Sequence, residues 1–190
     1  DTAFAGGEDY VYARYGNPTV AALERVMAAA EQGIGAVAFG SGMAALHAAL
    51  LAAGTPRGGT HPQVRGILAA RDLYGATTNL LNDFFAAQGM PVAYCDMCDL
   101  AAVDAAIAEL HPDVLLVEQI SNPLLKVADI AELARRAKAA GARLVVDNTM
   151  ATPIVQQPLA LGADVVVHSA TKYLGGHADV LEALHEVELL

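Results

Sequence analysis

Residues 163–177 read ADVVVHSATKYLGGH. The β-branched run ending at Val167 carries no interleaved polar residue, as expected for a strand covered on both faces rather than on one. Polar side chains follow at once: His168, Ser169, Thr171 and Lys172. Lys172 is one of only three lysines in 190 residues, with Lys126 and Lys138. A buried strand that delivers hydroxyls and a rare amine at its carboxyl end is the pattern of an α/β sheet with a ligand edge.

The rest of the chain repeats the rhythm. Short apolar runs occur at Gly35–Phe39, Val64–Leu68, Asp113–Val117, Arg143–Val146 and Asp164–Val167. Helical patterns lie between them over Thr19–Gln32, Gly42–Ala53, Thr77–Gln88, Leu100–Leu110 and Ile130–Ala140. Asp99 and Asp129 stand at N-cap positions, and Gly33, Gly54, Gly89 and Gly141 stand just past helix ends. Alternating strands and helices predict an α/β fold with a largely parallel sheet. Gly54–Pro62 reads as a surface loop, and no internal repeat or low-complexity linker is present.

Reactive residues collect at the predicted strand ends. Ser41-Gly42-Met43 follows Phe39, Glu118 and Ser121-Asn122-Pro123 follow Val117, and Asp147 follows Val146. A desolvated strand-end lysine can serve as nucleophile or base. Hydroxyls and free N–H groups at a helix start suit a phosphate. Asp147 is placed to pair with a buried cation such as a protonated pyridine nitrogen, and Tyr74 supplies an aromatic ring. Together these are the parts that hold pyridoxal phosphate as a Schiff base. Taken singly, each has an ordinary use: an N-cap, a turn residue, a solvated lysine, a packed ring. Neither a G-x-x-x-x-G-K-[ST] loop nor a G-x-G-x-x-G after the first strand is present.

Composition narrows the class. Hydrophobic residues make up 55% and charged residues 17%, which is globular rather than disordered. A formal charge of −10 disfavours nucleic acid and anionic membrane surfaces. Arg135-Arg136, the one adjacent basic pair, reads as a solvated helix face. No apolar run is long enough to span a membrane, and no signal peptide is evident. Cys95 and Cys98 have C-x-x-C spacing, but no second pair completes a zinc site, so no metal is expected. The ordinary reading is two small residues at a strand end, and reduced thiols point to the cytoplasm.

Six stretches, in order, resemble the pyridoxal-phosphate enzymes of cysteine and methionine metabolism, the cystathionine synthase and lyase group. They are YARYGNPT (12–19), GSGMAAL (40–46), RDLYGAT (71–77), SNPLLKVADI (121–130), VVDNTMATP (145–153) and SATKYLGGHADV (169–180). The resemblance implies an aminotransferase-like, fold type I large domain: a mostly parallel, seven-stranded mixed sheet sandwiched by helices. It implies that Lys172 forms the Schiff base and then moves protons, that Asp147 keeps the pyridine nitrogen protonated, and that Tyr74 stacks on the ring. Gly42, Met43, Ser169 and Thr171 would bind the phosphate. Tyr12 and Arg14 would reach the phosphate of a neighbouring subunit, implying a homodimer or homotetramer. Asn122 would lie near the phenolic oxygen, Thr149 on the other side of the ring, and Glu118 nearby.

The implied division is an N-terminal arm and first helix over 1–34, a cofactor-binding domain over 35–180, and a tail over 181–190. The tail, LEALHEVELL, departs from the family and reads as a short amphipathic helix. The family's smaller C-terminal domain has no counterpart after Val180, and the chain opens on Asp1, so a longer parent is expected. Where the family commonly has an aromatic residue and an arginine after Tyr74-Gly75, this chain has Ala76-Thr77-Thr78-Asn79. The expected activity is β- or γ-elimination from a sulfur amino acid. The alternatives are γ-replacement on an activated homoserine, a lyase domain in a biosynthetic assembly line, and a non-catalytic remnant.

Overall fold

A computed structural model describes residues 16–55 and 64–177, and the backbone of 183–187. Tyr12, Arg14 and most of the 54–62 loop lie outside these residues. In chain order the elements are α1 (Pro18–Glu31), β1 (Ala36–Phe39), α2 (Gly42–Ala53), β2 (Ile67–Ala70), α3 (Gly75–Asn79), β3 (Val92–Cys95), α4 (Leu100–Leu110), β4 (Val114–Glu118), α5 (Ile130–Ala140), β5 (Arg143–Asp147), α6 (Thr152–Val155), β6 (Val165–Ser169) and β7 (Ala183–Val187).

Local chemistry accounts for the helix ends. Asn17 caps α1 through Thr19 N–H at 2.8 Å, with Pro18 at the first position. The Asp99 and Asp129 carboxylates accept from the first turns of α4 and α5, where the sequence placed them. Gly141 closes α5 at φ +73°, a left-handed conformation that costs glycine little. The helix expected from Thr77 starts earlier, at Gly75. It widens into a π turn over Leu80–Phe85 before a short 3-10 turn ends it at Gln88.

One seven-stranded sheet runs in the order β1-β7-β6-β5-β4-β2-β3. Every pair is parallel except the two made by β7, so the other six strands point the same way. Every residue of β2 and of β4 is buried, which explains their continuous apolar runs. Leu68, Leu115, Leu116 and Leu144 are fully buried at the centre. Each such side chain contributes about 1.5–3 kcal/mol relative to exposure.

The tail corrects one expectation. Residues 183–187 form a strand, not a helix, because a slot between β1 and β6 offers hydrogen bonds along both edges at once. Ladder bonds to two neighbours outweigh a modest local helix preference. Arg136 is also not simply solvated. Its side chain is 13% exposed and bridges Glu132 on α5 to Asp104 on α4, whereas Arg135 remains exposed.

Candidate active site

With six strands parallel, the loops after β1, β2, β4, β5 and β6 open at one edge. They enclose a cavity of about 440 Å³, in the range of small-molecule sites. Gly42, Met43, Tyr74, Glu118, Asn122, Asp147, Thr149, Ser169, Thr171 and Lys172 all line it. Every described residue singled out for the site therefore reaches one cavity. Its apolar wall includes Leu46, Ile120, Met150 and Val167, of which Ile120 and Met150 carried no distinguishing signal in the sequence.

Ser41 caps α2 through Ala44 N–H at 3.2 Å. The N–H groups of Gly42 and Met43, in the first turn of this 12-residue helix, have no preceding carbonyl in helical register, and both residues line the cavity. Elsewhere on the cavity lining, the Ser169 and Thr171 hydroxyls lie 2.9 Å apart. Lys172 Nζ donates to Thr171 Oγ1 at 3.2 Å. Lys172 is exposed on the cavity wall, so the described residues do not supply the desolvation expected of it.

A hydrogen-bonded path connects the lysine loop to the acid. Thr149 N–H donates to Asp147 Oδ1 at 3.0 Å, and Ser169 N–H donates to Thr149 Oγ1 at 2.8 Å. Asp147 is half-buried and lines the cavity. Burial pushes it above the usual carboxylate range, against the Thr149 hydrogen bonds and the nearby His168. An acid in that position gains most from a cation delivered into the cavity.

Glu118 is 6% exposed and pairs across the sheet with Asp147. It accepts Tyr74 N–H at 2.5 Å and Asn122 N–H at 2.9 Å, joining the loops after β2 and β4. Burial is the main force that raises it to about 7. The two N–H bonds oppose the rise, and Asp147 adds to it. Tyr74 itself is 54% exposed and lines the cavity. Outside the cavity, Lys126 Nζ pairs with Asp72 at 2.6 Å and Asp96 at 2.9 Å, tying together the loops after β2, β3 and β4. Nothing in the sequence pairs Lys126 with those acids, because the three residues meet only when three strand ends align.

Cys95 is buried and Cys98 exposed, both as free thiols. Burial pushes Cys95 up to about 11 and raises Cys98 as well, the opposite of an activated redox pair. Among the described residues, no group of three or more His, Cys, Asp or Glu side chains is placed to hold a metal ion. No helix among them is long and apolar enough to cross a membrane.

Known proteins resemble this chain in sequence and in fold. The family described as Cys/Met metabolism PLP-dependent enzyme (PLP, pyridoxal phosphate) matches residues 2–185. The chain is 45% identical over 177 residues to a cystathionine beta-lyase of Lactococcus lactis subsp. cremoris, covering 93% of this chain and 44% of that protein. It is 46% identical over 172 residues to a cystathionine gamma-synthase of Mycobacterium bovis, covering 90% and 42%. The crystal structure of a cystathionine gamma-lyase from Lactobacillus plantarum, complexed with L-serine, superposes with a TM-score of 0.84 at 40% identity, covering 97% of this chain and 46% of that one. The chain thus spans less than half the length of these relatives. With a family match along nearly its whole length and relatives above 40% identity, the chain belongs to the Cys/Met metabolism PLP-dependent enzymes.

Proposed function

We propose that the protein is a pyridoxal-phosphate-dependent carbon–sulfur lyase that performs β- or γ-elimination on a sulfur amino acid, with Lys172 as the covalent anchor for the cofactor aldehyde. The observation that carries this reading is the convergence of Lys172, Asp147, Tyr74 and the Ser169–Thr171 hydroxyl pair on one cavity. The residues fit the cofactor. A carboxyl whose burial resists ionisation calls for a cationic partner, and the α2 start with two hydroxyls in the same cavity suits an anion.

Once bound, the cofactor supplies an electron sink for the pair released at the substrate α-carbon. The protein's own groups do the rest. Asp147 holds the ring nitrogen protonated, so the sink stays electron-poor. Gly42 and Met43 N–H with Ser169 and Thr171 Oγ fix the phosphate and hence the ring position. Lys172 Nζ would anchor the cofactor and, as a free amine, would accept the substrate α-proton. Thr171 Oγ1, already its acceptor, orients it for that transfer. Tyr74 would stack on the cofactor ring and Asn122 would serve its phenolic oxygen or the substrate carboxylate, both loops being held by Glu118. Tyr12 and Arg14 are proposed to serve a neighbouring subunit's phosphate in a homodimer or homotetramer, in the cytoplasm.

A second reading within the family is γ-replacement on an activated homoserine, supported by the equally similar gamma-synthase relative. Removal of the α-proton is common to both readings. The deciding experiment loads the protein with pyridoxal phosphate and offers cystathionine, cysteine, homocysteine and methionine with and without an added thiol. Keto acid and ammonia released without the thiol support the lyase. Product formed only with an activated homoserine and a thiol supports replacement. Failure of borohydride to fix cofactor on Lys172 refutes both.

A further inference from the structure

On the face of the sheet away from the cavity lies a buried polar cluster that the proposed chemistry does not use. Asp147, Val167 and Ser169 line the cavity, so the alternating residues Asn148 and His168 project to the reverse face. Both are 0% exposed, as is Glu31 at the end of α1. Glu31 Oε1 lies 2.7 Å from His168 Nε2 and accepts Asn148 Nδ2 at 2.9 Å. Asn148 Nδ2 also donates to Gln156 O at 2.9 Å, while its backbone N–H bonds Val167 O across β5 and β6.

Stability alone is a poor account of this cluster. Glu31 Oε2, Asn148 Oδ1 and His168 Nδ1 are buried without a partner among the described residues. A buried polar network that is only partly satisfied costs free energy, and apolar replacements of similar volume are often neutral or stabilising. What the cluster does is directional. It pins residue 148, next to Asp147, and residue 168, next to Ser169, to one point on α1, 117 and 137 residues away in sequence.

We propose that Glu31, His168 and Asn148 are positioning residues that hold, from the reverse face, the strand ends presenting Asp147 and Ser169 to the cofactor. The inference rests on the reading of the cavity as a cofactor site.

The test measures amide hydrogen exchange in the apo-protein and pyridoxal phosphate affinity for wild type, Glu31→Gln, His168→Ala and the apolar double variant Glu31→Met/His168→Leu. Glu31→Gln keeps an acceptor and should behave as wild type. His168→Ala and the double variant should speed exchange at Thr149 and Ser169 at least tenfold, leave Leu115 and Leu144 unchanged, and weaken cofactor binding at least tenfold. If His168→Ala fails to fold, the double variant, which keeps the buried volume, decides. Uniformly faster exchange including Leu115 and Leu144, or wild-type cofactor affinity in the double variant, overturns the proposal. Wild type that binds no cofactor overturns the proposed function instead, and the exchange pattern still decides whether the cluster holds the strand ends.

Discussion

Raising the pH from 5 to 8 should destabilise the apo-protein, and Glu118 should account for about 3 kcal/mol of the loss. In the unfolded chain a glutamate releases its proton near 4.5; in the fold, burial delays release to about pH 7. Between those values the folded state binds the extra proton. The stability Glu118 contributes is therefore complete below pH 4.5 and is lost as pH rises through 7. The gap corresponds to about 3 kcal/mol at about 1.4 kcal/mol per pK unit. Asp147, also raised by burial, acts in the same direction, so the total slope exceeds that of Glu118 alone. Glu132, held at about 2 by Arg135 and Arg136, loses its contribution only at more acidic pH and leaves this window untouched. Urea unfolding of wild type and Glu118→Gln at pH 5, 6, 7 and 8 isolates the effect. The glutamine cannot titrate and should flatten the curve by about 3 kcal/mol, while losing one of the two N–H bonds at every pH, about 1 kcal/mol. Equal pH slopes in the two proteins, or wild type growing more stable towards pH 8, would refute the reasoning.

Lys172→Ala should abolish the mass increase that borohydride reduction leaves on the cofactor-loaded protein, with the unfolding midpoint unchanged because the side chain is exposed. Gly54→Ala should cost about 1–3 kcal/mol in urea unfolding, since its Cβ would lie 2.1 Å from Val64 Cγ2. Asp129→Ala removes the acceptor of Glu132 N–H at 3.1 Å and should cost about 1 kcal/mol, while Asp129→Asn should cost little.

Much of the fold was legible because its signals are local. Gly42–Ala53, Leu100–Leu110 and Ile130–Ala140 are helices with the bounds the sequence predicted. The apolar runs of β4 and β5 announce strands covered on both faces, and only the ends of the expected strands moved by a few residues. The candidate site was legible for a related reason. In a parallel sheet the residue after each buried run falls at the same edge, so one-dimensional order predicts spatial convergence. Tail residues 183–187 were misread because their fate is set by two strands more than a dozen residues away. The buried or paired states of Glu31, Lys126 and His168 gave no signal, since a charged or polar residue on a helix, loop or strand end is ordinarily solvated.

By itself the sequence determined the alternation of strands and helices, the caps, the family motifs and the set of residues delivered to the ligand edge. Each of these depends on a residue and its near neighbours, or on a fixed order along the chain. Only the tertiary structure decided that the tail is a strand, that one carboxylate joins the Tyr74 and Asn122 loops, and that Glu31 meets His168 and Asn148 beneath the site. Those contacts join residues 44 to 137 positions apart, apart from the Glu118–Asn122 contact, and burial and hydrogen bonding act on distance in space, which chain order does not encode.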